Sequence, residues 1–278
     1  MEQARSETKK ELARFYNGDA RHYHEIHYID KKETYTPLKQ RQVYIEEMIE
    51  SLALSRGAKI LDVGCGPGQL VLNLLKEGYD VKGVDISSGM VDEARMLVRA
   101  NGFPEFNGTS VGDIEKLEFR DREFDVVVAS GVIEYQNDDD VALKEMRRVL
   151  KPGGHLILNV TNKYSYLTIS DNVWIAFKKL PGVRALVGTV RKGMLGDSRI
   201  TDVPEHRTHS PRRFDRKLEE HGFKKVVHNY FRFNPFPTPI GSFFPSMSLS
   251  VGQKMEGLTR GPLGFFGGGY LVLARRND

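Results

Sequence analysis

The 278-residue chain holds one cysteine, Cys65, and one tryptophan, Trp174. A lone thiol excludes an intrachain disulfide framework and any zinc site of several thiolates, and it points to a reducing, cytosolic compartment. The first ten residues lack the apolar core of a secretory signal, so export is not expected. Long hydrophobic runs are missing too. The longest uncharged stretch, Phe233 to Gln253, is broken by Pro235, Pro237, Pro239 and Pro245, which excludes a membrane-spanning helix. Charge of one sign is scarce: 41 basic against 37 acidic residues leave +4, too little to imply a nucleic-acid partner. No internal repeat is found. What the chain does have is 40% hydrophobic and 28% charged residues, the composition of a folded enzyme-sized body with one large α/β domain or two small ones.

Apolar spacing predicts a helix over 38–54, carried by Val43, Ile45, Met48, Ile49 and Leu52, followed by a strand over 59–64. Helix 70–77, strand 80–85, helix 88–101 and short strand 109–112 follow, then strand 124–129, helix 138–150 and strand 155–160. This alternation is the signature of parallel βαβ crossovers. Lys151-Pro-Gly-Gly154 reads as a turn. Beyond 160 the rhythm changes. Two short amphipathic helices are expected around Trp174 to Leu180 and Val183 to Val190, then a helix over 212–221 with Ser210 as its cap and Pro211 in its first turn. Strands 224–233 and 269–275 close the chain and are expected to pair.

The turn Gly64-Cys-Gly-Pro-Gly68 joins a strand to a helix, where side chains would block a ligand from the backbone and the helix amides are free. It is not a dinucleotide fingerprint, because Gln69 stands where the third glycine belongs, and it lacks the Gly-Lys-Ser/Thr of a phosphate loop. Asp85 closes the second strand, placed to accept the two hydroxyls of a ribose. Asp113 and Ile114 follow the third, placed to accept an adenine amine and cover its ring. Glycines, acid and second acid together imply a nucleoside.

Through Leu61-Asp-Val-Gly-Cys-Gly-Pro-Gly68, Val84-Asp85, Gly112-Asp-Ile114, Phe124-Asp-Val-Val-Val128 and Leu150-Lys-Pro-Gly-Gly154, the chain resembles the class I S-adenosylmethionine-dependent methyltransferases over residues 40–160. The resemblance implies a Rossmann-like α/β fold: a seven-stranded, mostly parallel sheet with an antiparallel last strand, helices on both faces, and a substrate-side insertion after the fifth strand. It implies the cofactor S-adenosyl-L-methionine. Asp62, Gly64 and Gly66 would shape the methionine pocket with Gly68, Ile86 and Ser130 beside it, Asp85 would hold the ribose, and Asp113 and Ile114 the adenine. The expected division is a lid segment over 1–37, a cofactor-binding core over 38–160, a basic amphipathic cap over 161–211, and a C-terminal part of the sheet over 212–278.

Methyl transfer from a sulfonium is an in-line displacement, so the protein's task is alignment, with a base needed only where the accepting atom carries a proton. No metal is implied, and His22, His24 and His27 read as solvated histidines. In Ser130-Gly-Val-Ile-Glu-Tyr135, many relatives carry a histidine where Tyr135 stands. Tyrosine is a poor base at neutral pH but can hydrogen-bond or stack on an acceptor. His206 and His209, in Pro204-Glu-His-Arg-Thr-His-Ser-Pro211, are the other catalytic candidates. The segment Phe15 to Glu25 is similar to the aromatic lid of small-molecule methyltransferases, with Tyr16 and Tyr23 as lid candidates.

Between Asn172 and Ile200 six basic residues face Asp197 alone, beside apolar Trp174 and Phe177, and further on lie Phe236, Ile240, Phe243, Phe244, Phe265 and Phe266. Positive charge next to apolar surface suits an anionic membrane, met peripherally through 172–200 on its cytoplasmic face. A comparable insertion occurs in quinone-biosynthesis methyltransferases, which the chain resembles in layout. The expected acceptor is therefore a small lipophilic or amphiphilic molecule, methylated at oxygen ahead of nitrogen or carbon. Two other readings stay open: an RNA methyltransferase, against which Asn234-Pro-Phe-Pro237 lies far from the fourth strand where an amino-methylating motif must sit, and a membrane-associated cofactor-binding module without turnover.

Overall fold

Strands with apolar residues on both sides must be covered on both faces, and the computed structural model places two of them at the centre of a seven-stranded sheet. Residues 2–25, 37–178, 206–233, 245–255 and 263–278 are described. The sequence of elements is α1 (Glu2–His24), α2 (Pro37–Ser51), β1 (Lys59–Val63), α3 (Gln69–Lys76), β2 (Asp80–Asp85), α4 (Ser88–Ala100), β3 (Thr109–Val111) and β4 (Phe124–Ala129). Then come α5 (Asp139–Val149), β5 (Leu150–Thr161), α6 (Tyr166–Lys178), α7 (Pro211–Glu220), β6 (Phe223–Phe231), α8 (Pro245–Met255) and β7 (Gly269–Arg276). The strand order is β3-β2-β1-β4-β5-β7-β6, with β7 antiparallel to both neighbours and β1 to β5 parallel. This is the Rossmann-like methyltransferase architecture, mixed sheet and reversed strand included.

Alternation along the strands builds two cores. Leu61, Val63, Val127, Leu156 and Leu158 pack with Leu143 and Met146 of α5 and Phe214 and Leu218 of α7. Ile60, Val126, Val128 and Ile157 face the other way, against Ile45, Met48 and Ile49 of α2 and Val71 and Leu74 of α3. Side chains of known type start the helices: Ser87 Oγ accepts from the Met90 amide at 3.1 Å, and Asp138 accepts from Asp140 at 3.0 Å.

Three expectations change. Lys151-Pro-Gly-Gly154 is not a free turn but a bulge inside β5, where Gly153 takes φ +73° and the pairing with β4 slips between Phe124 and Val126. Val43 lies in α2 yet is exposed, since the helix needs only one apolar face. Ser210 precedes α7 without a side-chain cap, and Pro211 alone makes the start. The N-terminal segment, for which no element was expected, forms a 23-residue helix. Of the two helices expected after 160, α6 covers the first, and 179–205 lie outside the described residues, as do His27 and the 234–244 segment.

Candidate active site

Val63 ends β1, and the chain reverses through three glycines with φ of +74° (Gly64), +50° (Gly66) and +86° (Gly68). The amides of Gly64 and Cys65 both donate to the Val84 carbonyl, at 2.6 and 3.0 Å, tying the turn to the end of β2. The three glycines answer different demands. A Cβ on Gly64 would sit 2.0 Å from Val132 Cγ2, and one on Gly68 2.7 Å from Ala94 Cβ, so both are required by packing. A Cβ on Gly66 would meet no described atom within 4 Å. Gly66 therefore borders open space in a cavity, whereas Gly68 lies off that cavity, holding α3 close to α4.

That cavity opens at the carboxyl ends of β1, β2 and β4, where crevices of parallel α/β sheets bind ligands. Asp85 sits at its edge with one carboxylate oxygen accepting from the Gly66 amide and the other from the Ser87 amide, each at 2.9 Å. Burial pushes its pKa up while these amides oppose the shift. A carboxylate has about four lone-pair sites, so acceptor capacity remains for two hydroxyls. Ile86, Ile114 and Asp113 line the next stretch of wall. Asp113 Oδ1 accepts from the Glu115 amide at 3.0 Å, and Oδ2 pairs with Lys9 at 2.5 Å. Asp62 lies behind the turn, buried and off the cavity wall, its pKa pushed up to about 7 by burial and the neighbouring Asp85 charge, against the pull of Arg41.

Helix α1 roofs this end. Its Asn17 side-chain Oδ1 accepts from Ser87 Oγ at 2.7 Å and from the Gly89 amide at 3.0 Å, so a residue of α1 completes the N-terminus of α4. Lys9 bridges Asp113 and Glu115, and Tyr16 and Tyr23 line the cavity with their rings edge to face at 6.0 Å.

The remaining wall comes from the loop after β4. Buried Asn159 of β5 accepts from Ser130 Oγ at 3.2 Å and the Gly131 amide at 2.9 Å, which sets the course of the loop. Arg41 reaches in from α2, and a Cβ on Gly131 would stand 2.8 Å from its Nη1. Glu134 also lines the cavity. Its carboxyl is buried, its Oε2 has no hydrogen-bond partner, and burial pushes its pKa up. Next to it, the Tyr135 hydroxyl accepts from Tyr16, and burial raises the pKa of both phenols, that of Tyr16 far above its usual value.

The two candidate histidines part company. His206 is exposed, its ring 6.1 Å from that of Tyr135. His209 lies outside the cavity, its Nε2 3.2 Å from Asp139 Oδ2 and its ring edge-on to Phe214. Asp139 also pairs with Arg207, whose amide donates to the Glu134 carbonyl at 2.8 Å. The pre-α7 segment is thus a brace for the Glu134–Tyr135 turn, and His209 belongs to the brace. Motif reading passed over Lys9, Asn17, Arg41, Glu134 and Asn159. Only Glu134 carried a signal, its place inside the post-β4 motif.

A family model described as a methyltransferase domain matches residues 61–158, the span from the glycine turn to β5. Over that span the chain is similar to the methyltransferase domain family. The chain is 33% identical over 168 residues to methyltransferase GfsG of Streptomyces halstedii, covering 58% of this chain and 60% of that protein. It is 28% identical over 185 residues to a demethylmenaquinone methyltransferase of Lactobacillus johnsonii, covering 66% and 74%. The chain spans about half the length of the first curated relatives it matches. In fold it is similar to magnesium protoporphyrin IX methyltransferase from Synechocystis, solved with bound SAH, with a TM-score of 0.65, 16% identity, and coverage of 97% and 100%. The family's cofactor fits the residues present: Gly66 leaves an open cradle, and Asp85 is fixed by two amides with acceptor capacity to spare.

Proposed function

We propose that the chain methylates a small lipophilic or amphiphilic acceptor, at oxygen ahead of nitrogen or carbon. S-adenosylmethionine, when bound, supplies a methyl group activated by its sulfonium. In this reading Asp85 holds the ribose hydroxyls and Ile86 and Ile114 flank the adenine. Asp113 accepts the adenine amine in exchange for part of its pairing with Lys9. The Gly64–Gly66 backbone and Arg41 hold the methionine end, where the guanidinium suits a carboxylate, and Ser130 sets the adjoining wall. Tyr16 and Tyr23 exclude water from above, making 1–37 the lid.

The observation that carries the acceptor chemistry is Glu134. The oxygens of Asp85 and Asp113 are hydrogen-bonded on both sides, and the phenols of Tyr16 and Tyr135 stay protonated at neutral pH. Glu134 alone among these groups presents an unpartnered oxygen, able to take the proton of an acceptor hydroxyl. Tyr135 contacts the acceptor without acting as base.

A lipophilic acceptor is supported by apolar surface at the same end of the sheet. Ile169 and Val173, one turn apart on α6, and Phe265 and Phe266, in the turn before β7, are all exposed. Both elements are anchored on Asn162, which donates to the Phe265 carbonyl at 2.7 Å and whose own carbonyl accepts from Thr168 Oγ1 at 2.8 Å. Likeness to a demethylmenaquinone methyltransferase points the same way. No described helix is long and apolar enough to cross a membrane, and residues 172–200 would bring the protein to an anionic surface peripherally. Incubation with S-adenosylmethionine carrying a labelled methyl group and a whole-cell extract tests the proposal. Label should enter the organic phase, and label confined to aqueous small molecules or RNA would overturn it.

A further inference from the structure

A second concavity opens at the opposite end of the sheet, where β4 and β5 begin and β7 ends. Its walls are Asp121, Arg122, Lys144, Arg147, Arg148 and Arg276. Five cations face one acid there. Arg148 is matched, with Nη1 2.8 Å from Asp121 and Nη2 2.8 Å from Glu145. Arg122, Lys144 and Arg147 form no salt bridge among the described residues. Asp140, the other acid within reach of Lys144, is engaged by Lys217 at 2.7 Å. The C-terminus of α5 carries about half a negative charge, which balances one of these cations in part.

Arg276 is the fixed point of the site. It is 7% exposed, and its Nη1 donates to the carbonyls of Arg147, at 2.6 Å, and Leu150. Its Nε is buried with no hydrogen-bond partner. Burial and the charges of Arg147 and Arg122 pull its pKa down, and Asp121 and Asp278 offset this without a salt bridge. A buried guanidinium with an unused donor, ringed by unmatched cations, is a site short of negative charge.

We propose that this concavity binds an oxyanion of the phosphate class, independently of the cofactor cavity. Guanidinium forks match paired phosphate oxygens, and Lys144 adds a point charge at the rim. Nothing in methyl transfer requires this site, which makes it a second ligand's place on the enzyme, served by a soluble phosphate ester or a phosphorylated headgroup.

The full chain, saturated with S-adenosylhomocysteine so that the cofactor cavity is filled, is titrated with inorganic pyrophosphate at constant ionic strength. At about ten times its dissociation constant, pyrophosphate should raise Tm by roughly 2–5 °C, and sodium chloride of equal ionic strength should not. The triple variant Arg122→Gln, Lys144→Gln, Arg147→Gln should bind pyrophosphate at least about tenfold more weakly and bind S-adenosylhomocysteine unchanged. Lys144→Gln alone, at an exposed position of α5, gives the same readout if the triple variant does not fold. A shift reproduced by chloride, or undiminished in the variants, overturns the proposal. Flotation with phosphatidylcholine vesicles containing phosphatidic acid, lost in the triple variant, assigns the headgroup; saturable pyrophosphate binding without flotation assigns the soluble ester. Failure to bind S-adenosylhomocysteine with the pyrophosphate response intact would sink the cofactor reading and leave this one standing.

Discussion

The hydroxyl of Tyr16 donates to the hydroxyl of Tyr135 across 3.4 Å, joining the roof helix to the turn after β4. Both phenols line the cavity, so this bond ties two of its walls together. Removing either hydroxyl frees the other, so the effects should not add. Chemical denaturation of Tyr16→Phe, Tyr135→Phe and the double variant should give a coupling of about 0.5–1 kcal/mol. Strict additivity would mean that α1 and the turn are independent.

Gly66 and Gly68 should fail in opposite ways. Gly68→Ala forces a Cβ against Ala94 at φ +86° and should cost roughly 2–4 kcal/mol of stability. Gly66→Ala meets open space, so it should cost only about 1 kcal/mol of backbone strain while weakening S-adenosylhomocysteine at least about tenfold in calorimetry. Equal losses of stability with equal affinities would remove Gly66 from the ligand's path.

Asp62 gives stability a pH dependence of known sign. Its folded pKa of about 7 lies above the ordinary 3.8, so between these values the native state keeps a proton that the unfolded chain releases. The stabilisation is complete below about 4 and is lost as pH rises through about 7. Asp62→Asn should flatten this decline in denaturation curves taken from pH 4 to 8. A decline that persists in the variant would assign it to other groups.

Glu134→Gln keeps the shape of the side chain but cannot accept a proton. With a hydroxyl acceptor, kcat should fall by about 10²-fold or more, and the rise of kcat/KM with pH, displaced above the usual glutamate range, should vanish. A variant with the parental rate and profile would return Glu134 to a structural role.

Much of the sheet is readable in the chain because its signals are local. β2 and β4 run from Asp80 to Asp85 and from Phe124 to Ala129 as expected, since strand period, bounding turns and the glycine reversal all lie within a few residues of each other. The brace around Asp139 is another matter. Its partners, Arg207 and His209, come from about seventy residues away, so His209 shows in sequence as a candidate base and only in three dimensions as a half-buried partner of Asp139. Arg41, Lys9 and Asn17 reach the site by helix docking, which leaves no mark on the residues around them. Lys151-Pro-Gly-Gly154 has the composition of a turn, yet tertiary pairing draws it into β5.

Because β7 lies between β5 and β6, the sheet is completed out of order. On the ribosome, β1 to β5 can pair and enclose the glycine turn and Asp85 as soon as they emerge. β6 has no neighbour until Gly269–Arg276 has been made. The nascent chain therefore assembles the half that carries the glycine turn first and keeps an unpaired edge on β5 until β7 has been made, the interval in which chaperones are most needed.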